Sequence, residues 1–214
     1  MSPAAKFNAL LASVVVTAMF VLIARLAPML STLGLPYQFT LPLIALLTSA
    51  GLYRLLALGV RWLMERSPWV SRKVLGAHYI HGTWIGWFIG RNGDKRFTVE
   101  HYVQSLDDLT ITGRSFTDRL LDHAFWESEA ATIDGRRGRL IFTYKMDIVS
   151  RSASLNGINT SFFERESAHD APTATAGFAH DLNDTTRIAF RTEKLSDRLV
   201  NWKEAVDKAK LRFP

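Results

Sequence analysis

Phe7 to Ala24 is an unbroken run of 18 residues with one markedly polar member, Asn8, held between Lys6 and Arg25. That length approaches the roughly 20 apolar residues that cross a bilayer core as a helix. A second apolar run, Pro36 to Val60, is interrupted by Arg54. If its helix starts near Pro36, Arg54 falls at the far end, where its aliphatic stem lets the guanidinium snorkel to the headgroups. A functional charge within the membrane is the sharper alternative. Leu26 to Leu35, between the runs, holds no charged residue, whereas Lys6, Arg61, Arg66, Arg72 and Lys73 lie outside them. Basic residues stay on the cytoplasmic side, so the expectation is a hairpin with both termini inside. Ser13, Thr17, Ala45 and Ser49 offer the small and polar surfaces on which helices associate in lipid. A cleaved signal peptide over residues 1–27 is the bland reading. Its apolar stretch would be long, Pro28 would follow a poor cleavage site, and the second run would stay unexplained.

After Ser71 the period changes from helical to alternating. Eight segments read as short strands: Ile80–Ile89, Phe97–Ser105, Leu109–Phe116, Ala124–Ile133, Leu140–Ile148, Asn156–Glu164, Thr173–Ala179 and Thr186–Glu193. Turn signals at Asn92-Gly93-Asp94, Asp107-Asp108, Asp134-Gly135 and Asn183-Asp184 separate them. Consecutive strands with short turns predict an up-and-down, lipocalin-like antiparallel barrel, which removes exposed sheet edges. Eight strands enclose an interior that is either filled or able to hold one small ligand. Gly82 and Gly86 in the first strand suit tight bending or the close approach of a ligand. Lys194 to Arg212 reads as a closing amphipathic helix with Ser196 as N-cap, packed on the barrel or lying on a membrane surface. The expected organisation is a hairpin over 1–64, a linker over 65–77, the barrel over 78–193 and the closing helix over 194–214.

Charge follows the same division. The chain holds 26 basic and 20 acidic residues, a net +6. Four basic residues and Glu65 lie before residue 66, which leaves 22 against 19 in the rest. This mixed surface lacks the concentrated positive charge that duplex nucleic acid requires. With no cysteine there is no disulfide framework or thiolate metal site. No nucleophile elbow, phosphate loop or dinucleotide fingerprint is present, so the expectation is a protein that binds and does not catalyse, without a cofactor. His78 and His81 are three apart, with His101 on the next strand. On a strand that spacing points the pair to opposite faces, away from a shared metal. The scattered carboxylates read as solvated charge. The binding candidates are Trp84, Trp87, Tyr102, Arg114, Trp126, Tyr144 and Arg191, all within expected strands. Aromatic rings stack on planar ligands and arginine forks grip phosphates. The competing reading makes Trp84 a core plug and Arg114 a surface charge, because a one-residue slip reverses a strand's faces.

Three blocks carry a resemblance: Gly82 to Trp87 (G-T-W-I-G-W), Val103 to Ser115 (V-Q-S-L-D-D-L-T-I-T-G-R-S) and Gly177 to Asp181 (G-F-A-H-D), all after paired apolar runs. In this order they resemble the two-transmembrane, β-strand-rich effectors of CBASS antiphage operons. The resemblance implies a multi-pass protein of the bacterial inner membrane whose cytosolic barrel binds a cyclic dinucleotide. Binding would drive homo-oligomerisation and assembly of the membrane helices, which disrupts the bilayer and kills the infected cell. Two alternatives stand beside it. One is a tethered carrier of an apolar ligand, with Phe97, Val99, Leu140 and Phe142 lining the barrel and Arg114 outside. The other is a structural anchor, with a solid barrel, that recruits a protein partner.

Overall fold

The structure, a computed structural model, describes residues 3–32, 37–149, 153–182 and 187–214. It divides into two compact units, Met1–Val74 and Leu75–Pro214. In the first unit, α1 (Pro3–Thr32) and α2 (Tyr37–Arg66) are followed by a short α3 (Pro68–Leu75), so the expected linker is largely helical. Leu11, Val15 and Met19, spaced four apart, are buried among the described residues of α1, and the Tyr53 hydroxyl donates to Asn8 Oδ1 at 3.1 Å. Leu10, Val14, Val16, Phe20 and Val21 lie exposed. Among the described residues one helix, Ala4–Arg25, is long and apolar enough to cross a membrane. That length and composition near the N-terminus fit a membrane span or a signal sequence.

In the second unit eight antiparallel strands close into a barrel in sequence order, with β8 returning to pair with β1. They are β1 (Gly82–Ile89), β2 (Lys95–Gln104), β3 (Leu109–Phe116), β4 (Asp122–Asp134), β5 (Arg139–Ile148), β6 (Ala153–Glu164), β7 (Ala174–Asp181) and β8 (Ile188–Ser196). Every strand read from the sequence is present. The start of the eighth at Thr186 and the Asn183-Asp184 turn lie outside the described residues. A Cβ on Gly82 or Gly86 would sit 2.1 Å from Ser196 O or 2.2 Å from Arg191 O. These glycines therefore admit the backbone of β8 where the barrel closes.

The closing helix is shorter than expected. α4 spans Trp202–Arg212, because β8 stays paired to β1 through Ser196 opposite Thr83. The N-cap is Asn201, whose side chain accepts from Lys203 N–H at 3.0 Å, while Ser196 Oγ accepts from Arg198 N–H in the turn between them. Ala205, Val206 and Ala209 bury against Ile85, Phe97, Val99 and Phe116 on the outer face of β1–β3. Small residues at this contact let the helix lie close to the sheet.

Candidate ligand-binding site

Register decides which side chains point inward, since successive residues alternate between faces. Trp84 pairs with Glu100, Glu100 with Gly113, and Gly113 with Trp126, so these four positions share the inner face. Tyr102 pairs with Ile111, and Tyr144 with Gly157, which in turn pairs with Asp181. At the closed end Trp84, Tyr102, Ile111, Leu140 and Ile80 form a dry cluster. Trp84 and Tyr102 stack at 5.5 Å, and the Trp84 indole donates to Ile80 O at 2.8 Å. The Gln104 side chain accepts from Ile80 N–H at 2.8 Å and donates to His78 O at 2.7 Å, latching the entering chain across that end.

Toward the other end the packing stops. A cavity of about 170 Å³ opens there, walled by aromatic rings and polar groups from most of the strands. Its rim carries Arg91 and Arg96, and its walls include Phe88, Trp126, Phe142, Tyr144 and Phe190. Thr98, Glu100, Ser115, Asn159 and Asp181 supply buried polar groups to the same space.

Two carboxylates in it are built alike. Glu100 on β2 lies across Gly113 of β3 from Trp126 of β4, and Asp181 on β7 lies across Gly157 of β6 from Tyr144 of β5. A Cβ on Gly113 would come within 2.1 Å of the Trp126 ring, and one on Gly157 within 2.3 Å of the Tyr144 ring. Each glycine therefore lets an aromatic ring lie over the wall and reach the acid beyond. Glu100 Oε2 accepts from the Tyr102 hydroxyl at 2.9 Å, and the Trp126 indole is its other hydrogen-bond partner. Asp181 accepts from the Tyr144 hydroxyl at 3.4 Å and from Arg91 at 2.6 Å.

Their electrostatics differ. Glu100 is buried with neutral partners, and burial outweighs both hydrogen bonds, pushing its pKa up to about 7. Burial, then the adjacent Glu100 carboxyl, holds the Tyr102 phenol protonated far above its ordinary range. Burial and Asp181 likewise raise the Tyr144 phenol. Asp181, by contrast, has a cation beside it. Thr98 Oγ1 is buried in the cavity wall without a hydrogen-bond partner, a rare condition for a polar atom that water cannot reach.

The seven residues singled out from sequence separate by this geometry. Trp126 and Tyr144 line the cavity, while Trp84 and Tyr102 plug the closed end. Trp87 lies on the outer face beside Lys95, 5.5 Å from its ring. Arg114 also faces outward, 5.0 Å from the Trp202 ring of α4. Arg191 is held on the surface by Glu164 through two 2.7 Å hydrogen bonds. Phe97 and Val99 lie under α4 and not in the barrel, while Leu140 and Phe142 do face inward. His101 Nε2 meets Val200 O at 2.8 Å, and burial lowers its pKa and that of His81. Among the described residues no cluster of His, Asp or Glu has a metal-holding arrangement.

Sequence reasoning took the carboxylates, Glu100 and Asp181 among them, for solvated charge and did not single out Thr98. The signal was parity: Thr98, Glu100 and Tyr102 alternate, so an inward Tyr102 carries the other two inward. No family model matches the chain, and neither a curated protein nor a solved structure shows significant similarity to it.

Proposed function

We propose that this protein is a membrane-anchored receptor and effector whose barrel takes a cyclic dinucleotide into its open end. The observation that carries this reading is the half-empty barrel: aromatic faces at Trp126 and Tyr144, buried hydrogen-bonding groups between them, and Arg91 and Arg96 at the rim. At on the order of 10–15 Å³ per water, the cavity of about 170 Å³ takes roughly 11–17 waters, room for a heterocycle with its sugar-phosphate at the mouth. Arg91 donates to Asp181 at 2.6 Å at the cavity mouth, and a guanidinium fork there suits a phosphate. A floor that includes Glu100, Thr98 and Ser115 is a costly bed for an apolar ligand, which disfavours the carrier reading.

In this reading α1 and α2 both span the bacterial inner membrane, with the barrel and both termini in the cytoplasm. Ser13 and Thr17, exposed on α1, are available to further copies of the chain. Ligand binding brings barrels together, and the assembled helices breach the bilayer. The test is titration of the full-length protein in detergent with a panel of cyclic dinucleotides, reading heat and oligomer size together. Saturable heat accompanied by a rise in assembly size is the expected result. No heat from any member of the panel, at concentrations where a weak ligand saturates, overturns the reading.

A further inference from the structure

We infer that Glu100 is the specificity-determining residue of the cavity and that it reads a ligand edge carrying two adjacent N–H donors, the guanine edge among nucleobases. The inference rests on the cavity being the ligand site. An ionised carboxylate has about four lone-pair positions and no donor. Tyr102 and Trp126 occupy two of those on Glu100. Two remain, on a residue that lines the cavity and is 4% exposed as a whole. Among the common bases guanine presents two adjacent N–H donors, at N1 and the exocyclic amine, and two parallel N–H···O bonds to a carboxylate are the geometry that pairs them. Thr98, two residues away on the same face, is a further polar residue of the cavity wall. The Trp126 ring, laid flat over Gly113, gives the base a surface to stack on.

The same arrangement couples binding to a proton. Glu100 holds a proton for part of the time near neutrality and must release it to accept two N–H donors. The other charged or titratable groups on the cavity wall are Arg91, Arg96, His123, Tyr144, His180 and Asp181, with Tyr102 beside Glu100 and Lys194 at the closed end. A pH effect that belongs to Glu100 must therefore disappear when that residue is neutral, whatever these groups do.

The experiment is calorimetry on the full-length protein in detergent with guanosine and inosine, which differ by the exocyclic amine, and with cyclic di-guanylate and cyclic di-inosinate. Titrations at pH 6 and pH 8, in buffers of different ionisation heat, count the protons released. The expected result is a preference of roughly tenfold or more for each guanine ligand over its inosine counterpart. Affinity rises roughly tenfold from pH 6 to pH 8, with about one proton released at pH 6. Glu100→Gln abolishes both the preference and the proton release while the barrel's circular dichroism is unchanged. If Glu100→Gln does not fold, the guanine-over-inosine preference on the natural chain decides, since it does not depend on which wall group titrates. Guanine ligands that bind no better than their inosine counterparts, or bind without proton release, overturn the inference. If guanosine binds as expected and neither cyclic dinucleotide does, the inference stands and the proposed function falls.

Discussion

The two ends of this barrel are made from the same eight strands by the same alternation, yet they do different work. At the closed end inward positions hold Trp84, Tyr102, Ile111 and Leu140, which fill the space and leave water no entry. At the open end glycine, threonine, serine and acid take their place among apolar side chains such as Phe88, Met146, Leu155 and Phe190, and a cavity remains. Gly113 and Gly157 do not create space for a ligand directly. They let Trp126 and Tyr144 fold down onto the wall, so two large rings line the cavity without filling it. The comparison sets a packed half of one core against a hollow half; in the proposed reading the first carries stability and the second recognition, which variants can separate.

The largest effect is expected at the closed end. Trp84→Ala removes a fully buried ring and its bond to Ile80 O, and should lower unfolding free energy by about 3–5 kcal/mol in denaturant titration. A loss under about 1 kcal/mol would mean that the plug does not hold the barrel.

The next is a pH dependence from the open end. Glu100 has a folded pKa of about 7 against an ordinary 4.5, so between those values the folded state holds more protons than the unfolded one. Stability from this group is therefore full below pH 4.5, falls by about 3 kcal/mol as pH rises to 7, and levels off above. Glu100→Gln should flatten that slope in unfolding curves taken from pH 4.5 to 8; an unchanged slope would place its cause elsewhere.

Gly113→Ala puts a methyl 2.1 Å from the Trp126 ring and should cost about 1–3 kcal/mol while shifting tryptophan fluorescence. It sharpens the comparison, because it should weaken binding far more than its stability cost explains. The smallest effect is expected on the outer face. Arg191→Ala breaks an exposed pair with Glu164 and should change stability by less than about 1 kcal/mol, with ligand affinity untouched.

Much of this architecture was legible in the sequence, because strand alternation and turn residues are local signals. All eight strands and the closing helix followed from them. The helix began late because pairing of Ser196 with Thr83, 113 residues apart in sequence, overrode the local N-cap pattern. The site was legible in kind and not in detail. Trp84 and Trp87 differ by three positions, so they cannot share a face, and selecting aromatics and arginines by type alone mixed the two faces. Arg114 suits phosphate chemistry, but its parity turns it outward onto Trp202. The buried acids were passed over because a carboxylate inside a core is uncommon, and that rarity is what marks Glu100 as a candidate for function.

The most direct measurement compares one ring inside the open end with one cation outside it. Full-length protein in detergent, with Trp126→Ala and Arg114→Ala in parallel, is titrated calorimetrically with cyclic di-guanylate after each variant's fold is checked. The cavity assignment predicts affinity reduced roughly tenfold or more by Trp126→Ala and unchanged by Arg114→Ala. Absence of binding to the natural chain, or loss on Arg114→Ala with Trp126→Ala unaffected, would contradict it.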